Sequence, residues 1–513
     1  MRRVFIRSFW GALVSSPFLV AACSNGSSIQ SGSVWLTTTD ASNTPDSDAA
    51  PPPNQPYGGS WQKLAQPPPF YPDETVLLTD GTLMVHASSL SDWWRLTPDV
   101  MGSYANGTWS TLATMPLAYA PTYFGLAVLA SGSVVAVGGE YNHGADAWTG
   151  LGAIYDPVVD AWTPLLPPAS WANASFGIGD TPTVILPNGV FMMGSVGTKN
   201  QALLDPRTLT FTLTGTGKYD SNEEEGWTLL PNGNVLTVDV SGAPNSELYD
   251  PTSGSWSSAG STGVTVADKV SGEVGPAILM PSGAVFAMGA TAHNAIYQGG
   301  TWTAGPDFPM VDAGQLDIAD GPAVLLTNGH VLCAASPGDY NPPATFLEFD
   351  GTNLTPTAPT PNAVNDTSYT IFLVPLPSGQ IIAFDRSLDV EIFTSNGSPD
   401  PSWAPTITTA PTTVARGSTN MISGTQFNGL SQACSYGDDY QCATNYPLVR
   451  ITNNATGHVF YARTHDHSTM GVATGTAPVF TLFDVAQNVE TGASNLVVVA
   501  NGIPSSPVSV TVQ

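Results

Sequence analysis

Acidic residues recur at one place in a repeated pattern. Asp73, Asp180, Glu224 with Glu225, Glu273 and Asp320 each stand roughly eight to ten residues before a glycine in a tight turn. Equivalent positions of a repeat converge when the repeats stack around an axis, so five units would offer a carboxylate to one region. His465-Asp466-His467 supplies two imidazoles. On a strand an H-x-H pair points both rings to one side, a spacing that can grip a metal. With Tyr369, the candidate axial ligands are Asp180, Glu225, Glu273, Asp320, Tyr369, His465 and His467, the two histidines being the metal-binding pair. Carboxylates with imidazoles suit a divalent metal such as calcium, zinc or manganese. Carboxylates alone suit a glycan, and acids at strand starts also simply form turns and solvate a rim. All three readings stand at this point, and a divalent metal is the only cofactor the residues suggest.

The elements that must position these residues are β-strands. Gly81, Gly132, Gly189, Gly233, Gly283, Gly329 and Gly379 each separate two apolar runs, at a spacing of roughly fifty residues. Such a unit cannot bury both faces alone and must stack on copies of itself, so the fold class is all-β and the architecture a seven-bladed β-propeller. The second half of the repeat reads IYDPVVDAW from Ile154, LLDPRTLTF from Leu203 and LYDPTSGSW from Leu248. Asp-Pro opens a tight turn, and the aromatic that follows can pack between blades. This grammar resembles the kelch repeat, whose double glycine is present at Gly138-Gly139. Trp61 reads as a strand that closes the last blade with the segment from Tyr369 to Phe393. Trp93-Trp94, Tyr141, Trp148 and Trp171 could stack on sugars or fill gaps between blades.

Near Trp403 the repeat stops. Short alternating strands follow (NMISGTQF, PLVRITN, HVFYART, VFTLFDV, NLVVVAN, VSVTVQ), which read as an immunoglobulin-like β-sandwich. The segments SGTQFNGLSQACSYGDDYQCATNYPLVRIT and HVFYARTHDHSTMGVATG resemble the C-terminal domain of galactose oxidase-like proteins. Those copper radical oxidases place a seven-bladed kelch propeller ahead of that domain. The resemblance implies an axial copper held by two tyrosines and two histidines, one tyrosine being thioether-linked to a cysteine. Thr464-His465 fits one histidine position, and Tyr369 is kept. Thr370 stands where the second histidine is expected, and no cysteine lies near Tyr123-Phe124. Threonine is a poor copper ligand, so copper radical chemistry is not expected.

The chain opens with Arg2, Arg3 and Arg7, an apolar run to Val20, and Val20-Ala21-Ala22-Cys23, which resembles the lipobox of bacterial lipoproteins. That resemblance implies a signal peptide over 1–22, a lipid on Cys23 and, from Ser24, an outer-membrane address facing the periplasm or the cell surface. A Ser/Thr/Pro-rich tether over 23–56 follows, then the propeller over 57–403 and the last domain over 404–513. Cys434 and Cys442 flank a turn and form a natural disulfide pair in an oxidising compartment, while Cys333 reads as a core thiol. Losing the signal leaves ten basic against 40 acidic residues, a formal charge of −30. Nucleic-acid binding needs phosphate neutralisation, which this balance excludes. No Ser-His-Asp motif, nucleophile elbow or phosphate loop is present. The expectation is a membrane-anchored monomeric propeller that binds a polysaccharide or protein. The alternative is a galactose oxidase-like metal oxidase or sugar-active enzyme that uses the axial acids and histidines.

Overall fold

The structure, a computed structural model, describes residues 58–171, 177–437 and 440–513. Cys23, the signal segment, the tether and Asp438-Asp439 lie outside the described residues. Seven β-meander blades run in chain order, the first built from Pro72–Leu77, Leu83–Ala87, Trp93–Thr97 and Thr108–Thr111. In each blade the two inner strands are buried and the outermost is largely exposed, as in Phe191–Gly194 against Thr210–Thr214. That gradient is why the inner hairpin reads as an unbroken apolar run while the fourth strand is rich in Thr and Ser. The described helical segments are two short 3₁₀ turns, Ser368–Thr370 and Pro401–Trp403.

The seven turn glycines all adopt a left-handed backbone, with φ between 75° and 88°. Each donates its N–H to the carbonyl three residues back, from Gly81 to Leu78 at 3.0 Å through Gly379 to Leu376 at 2.9 Å. A side chain is disfavoured at that φ, which accounts for the glycine period. In the Asp-Pro turns, Asp156, Asp205 and Asp250 each accept from the backbone N–H two residues on, at 2.8 Å. Outer-strand aromatics reach the preceding blade, with or without an Asp-Pro turn before them. Trp162 donates to Ala113 O at 3.0 Å, Trp256 to Gln201 Oε1 at 3.2 Å and Trp302 to Ser246 Oγ at 2.8 Å.

The ring is closed from the front of the chain. Gly59–Lys63 pairs antiparallel with Val390–Ser395, placing Trp61 opposite Phe393 and making the first described strand the outer strand of the seventh blade. The strands from Thr406 onward pair among themselves, apart from Cys434–Ser435. They enclose a separate core of Ile422, Val449, Ile451, Phe483, Leu496, Val498 and Val510. This β-sandwich sits against the turn-glycine end of the propeller. Thr464 N donates to Thr79 O at 3.1 Å, Met470 N to Pro187 O at 2.9 Å, and Gly81 lies against the Tyr461 ring.

One loop of the sandwich enters the central channel. Cys434–Ser435 adds to the sixth blade beside Ala323–Leu325, and Gln432 Oε1 accepts from Leu229 N of the fourth blade at 2.7 Å. Tyr436 O–H donates to Tyr369 O at 2.5 Å, Gly437 lies beside Asp320, and the hydroxyls of Tyr440 and Tyr446 return along the first blade to Thr75 O and Leu77 O. The Cys434–Cys442 disulfide, with Cα atoms 5.3 Å apart, ties the two arms together.

Candidate axial binding site

Three of the expected carboxylates meet. Glu224, Glu273 and Asp320, from the approaches to the fourth, fifth and sixth blades, each bring an oxygen within 4.8 Å of the others. Tyr340 donates its hydroxyl to Glu273 Oε1 at 2.5 Å. Its ring stands edge-on to Tyr369, with centroids 5.1 Å apart. Tyr369 connects this group to a second one. The Arg386 guanidinium lies 5.9 Å from the Tyr369 ring, and 4.8 Å and 5.3 Å from those of Tyr123 and Phe372. Arg386 donates from Nε to Asp73 Oδ1 at 3.1 Å and from Nη1 to the Tyr123 hydroxyl at 2.7 Å. Arg386 Nη2 is buried without a hydrogen-bond partner. Burial holds the Asp73 carboxyl up at about 6, against the pull of the Arg386 charge. Burial likewise raises the Tyr123 phenol, so it stays a neutral donor or acceptor.

These positions follow from local chain geometry. The acids precede the innermost strands, at the opposite end of the blades from the turn glycines. Tyr123, Glu224, Asp320, Tyr340 and Arg386 adopt φ between 54° and 60°, an uncommon backbone for non-glycine residues that aims side chains out of the strand pattern. Asp180 is buried ahead of the third blade's inner strand Thr183–Ile185. Beside this region the first blade holds a fully buried pair, His86 Nδ1 with Glu74 Oε2 at 3.2 Å, whose other oxygen accepts from Tyr123 N at 2.8 Å.

Two expected assignments are corrected. Glu225 does not join the axial group. Glu224 takes the left-handed turn, so Glu225 points into the fourth blade and accepts from Lys218 Nζ at 2.8 Å. His465 and His467 lie at the opposite, turn-glycine end, where His467 N donates to Ala130 O at 3.3 Å. Asp466 at φ 50° ends the strand alternation, and the two rings take separate partners. His465 pairs with Asp466 and Asp484, at 2.9 Å and 3.2 Å. His467 is buried against Tyr446 and bonded to Thr481, and burial drives its imidazole down to about 3. Tyr340 and Arg386 carry no repeat signal in the sequence, and the channel loop shows there only as a disulfide-pinned turn. The loop's signal was Tyr436, Tyr440 and Tyr446 around a disulfide. Arg386 carried only the rarity of arginine in this chain.

The residues do not fit a copper radical centre. Among the described residues the axial group is made of carboxylates, with tyrosine beside it. Thr370 donates its hydroxyl to Thr367 O at 2.8 Å and accepts from Thr367 N at 3.2 Å, capping a 3₁₀ turn. Cys333 is buried in the sixth blade, where burial pushes its thiol up to about 12. Of the aromatics that could stack on sugars, Trp93 and Trp171 are buried and Trp94 stacks on Phe70 at 4.9 Å, while Trp148 is 38% exposed.

No protein-family model matches the chain, and no curated protein does either. Among solved structures, a fungal alcohol oxidase of the AA5 family in complex with copper is 14% identical, with a TM-score of 0.50 over 89% of this chain and 100% of that one. A virginiamycin B lyase from Staphylococcus aureus is 8% identical, with a TM-score of 0.46 over 66% of this chain and 100% of the other. YCF48 from Cyanidioschyzon merolae gives 11% and 0.39 over 65% and 98%. At these identities the oxidase likeness establishes a shared fold.

Proposed function

We propose that the protein is a carbohydrate-binding propeller that takes its ligand at the axial mouth, without copper radical chemistry. The observation that carries this reading is the convergence of Glu224, Glu273 and Asp320 with Tyr340. Carboxylates accept from sugar hydroxyls, and the half-buried Tyr369 and Tyr340 rings offer apolar faces. A formal charge of −27 on the whole chain favours neutral or cationic ligands over anionic ones.

The test is a glycan array followed by calorimetry on the glycan that binds, with and without divalent cations. Glu273→Gln and Tyr369→Ala should each weaken binding by about tenfold or more, the cost of one lost charge-assisted bond or stacking face. Binding that is indifferent to both substitutions would place the ligand elsewhere. The three clustered oxygens also suit a hard divalent cation. Glycan binding that needs the cation and fails in Asp320→Asn would favour that metal-dependent reading.

The anchor belongs to the same proposal and is supported by the sequence Val20-Ala21-Ala22-Cys23. Cys23→Ser should move the protein from the membrane fraction to the soluble one on fractionation. Unchanged membrane association would reject lipidation as the attachment.

A further inference from the structure

The fourth blade buries a second acidic group that the axial site does not use. Lys218 Nζ donates to Glu225 Oε1 at 2.8 Å and to Glu247 Oε2 at 2.5 Å, and it lies 4.8 Å from the Trp256 ring centroid. Glu247 is further satisfied by Tyr219 N at 2.7 Å and Asp220 N at 3.1 Å. Asp220 and Asp239 stand beside Glu225, and the three carboxylates each place an oxygen within 4.8 Å of the others. Asp220 accepts from Gly242 N at 2.9 Å. Asp239 is 1% exposed and receives no N–H or hydroxyl donor from the protein, and its carboxyl lies against that of Glu247. Glu225 Oε2, on the side away from Lys218, has no donor either. Four buried carboxylates thus face one ammonium. Buried charge in excess of its partners is costly unless a proton or a cation completes the set.

We propose that Asp220, Glu225 and Asp239 hold a calcium ion inside the fourth blade. An all-oxygen, all-carboxylate donor set selects a hard cation over copper or zinc. Asp239 offers a carboxylate oxygen, Glu225 offers Oε2 while Oε1 stays on Lys218, and Asp220 is held in place by Gly242 N. The alternative occupant is a proton. Calcium binds the deprotonated carboxylates and therefore competes with that proton. The site also bears on the axis. Glu225 is the neighbour of Glu224, so fixing its carboxylate fixes the turn that delivers Glu224 to the axial group.

The test uses the full chain stripped with chelator and returned to pH 8. Terbium, a calcium surrogate, should give tryptophan-sensitised emission that calcium displaces, and excess calcium should raise the melting temperature by a few degrees over chelator. Asp239→Asn and, as a second variant in case the first folds poorly, Glu225→Gln should lose both effects. Asp320→Asn should keep both, which separates this ion from any cation at the axis. Trp256→Phe should dim the emission while leaving the calcium-dependent melt intact. A wild-type chain showing neither effect would overturn the site, as would effects lost in Asp320→Asn but retained in Asp239→Asn.

Discussion

At the level of single residues, burial sets the charge states. Glu225 and Glu391 are raised to about 8, and Asp239, Asp317 and Asp366 to about 7, in each case chiefly by burial. Neighbouring acids add to the effect, as Asp389 and Asp385 do for Glu391. A carboxyl with a raised folded pKa binds more protons folded than unfolded. Its contribution is therefore complete below its unfolded pKa and is lost as pH rises through the folded one. His467 acts in the opposite sense. Its folded pKa near 3 lies below the unfolded 6.5, so its contribution is present above 6.5 and is lost as pH falls towards 3. Five carboxyls outweigh one imidazole across neutral pH. In chelator, the melting temperature should therefore fall from pH 5 to pH 8, which a series of thermal melts checks; a flat or rising profile would contradict these charge states. The sequence showed the acids but not their states, because the acidity of a carboxyl depends on what surrounds it in space. Glu224 and Glu225 make the point: adjacent and chemically identical, one faces the axis and the other an ammonium.

Among the elements, the closing strand Gly59–Lys63 is the most exposed to test. Trp61 packs on Phe346 at 5.0 Å and Phe393 at 4.9 Å, and its indole N–H donates to Ala358 O at 2.6 Å, so it fastens the seventh blade to the sixth. Deleting residues 61–66 should lower the melting temperature by several degrees, because it leaves the edge strand Val390–Ser395 unpaired and uncovers those rings. An unchanged melt would mean that the ring does not depend on this strand. The closure was legible in advance, since Trp61 stands in the same kind of outer-strand run as Trp162 and Trp256. The channel loop was legible only as a disulfide-pinned turn. Nothing in CSYGDDYQC states that its tyrosine hydroxyls find carbonyls at Tyr369, ahead of the seventh blade, and at Thr75 of the first, 67 and 365 positions away.

For the whole molecule, the β-sandwich and the axial site occupy opposite ends of one channel, and the Cys434–Cys442 loop runs between them. The sandwich therefore reaches the acids through Gly437 rather than through His465, which stays at the turn-glycine end with Asp484. The sequence alone determined the all-β class, the seven blades, the turn glycines, the aromatic fasteners and the acids ahead of the inner strands. Each of these is written in a period, and a period survives translation into structure because every repeat makes the same local turn. Tertiary structure alone decided which acids share a site, that Tyr340 and Arg386 join them, and that His465 and His467 do not. Those outcomes hang on single left-handed residues such as Glu224 and Asp466, and on contacts between distant blades. No local pattern encodes either, so only the assembled ring could bring them to one place.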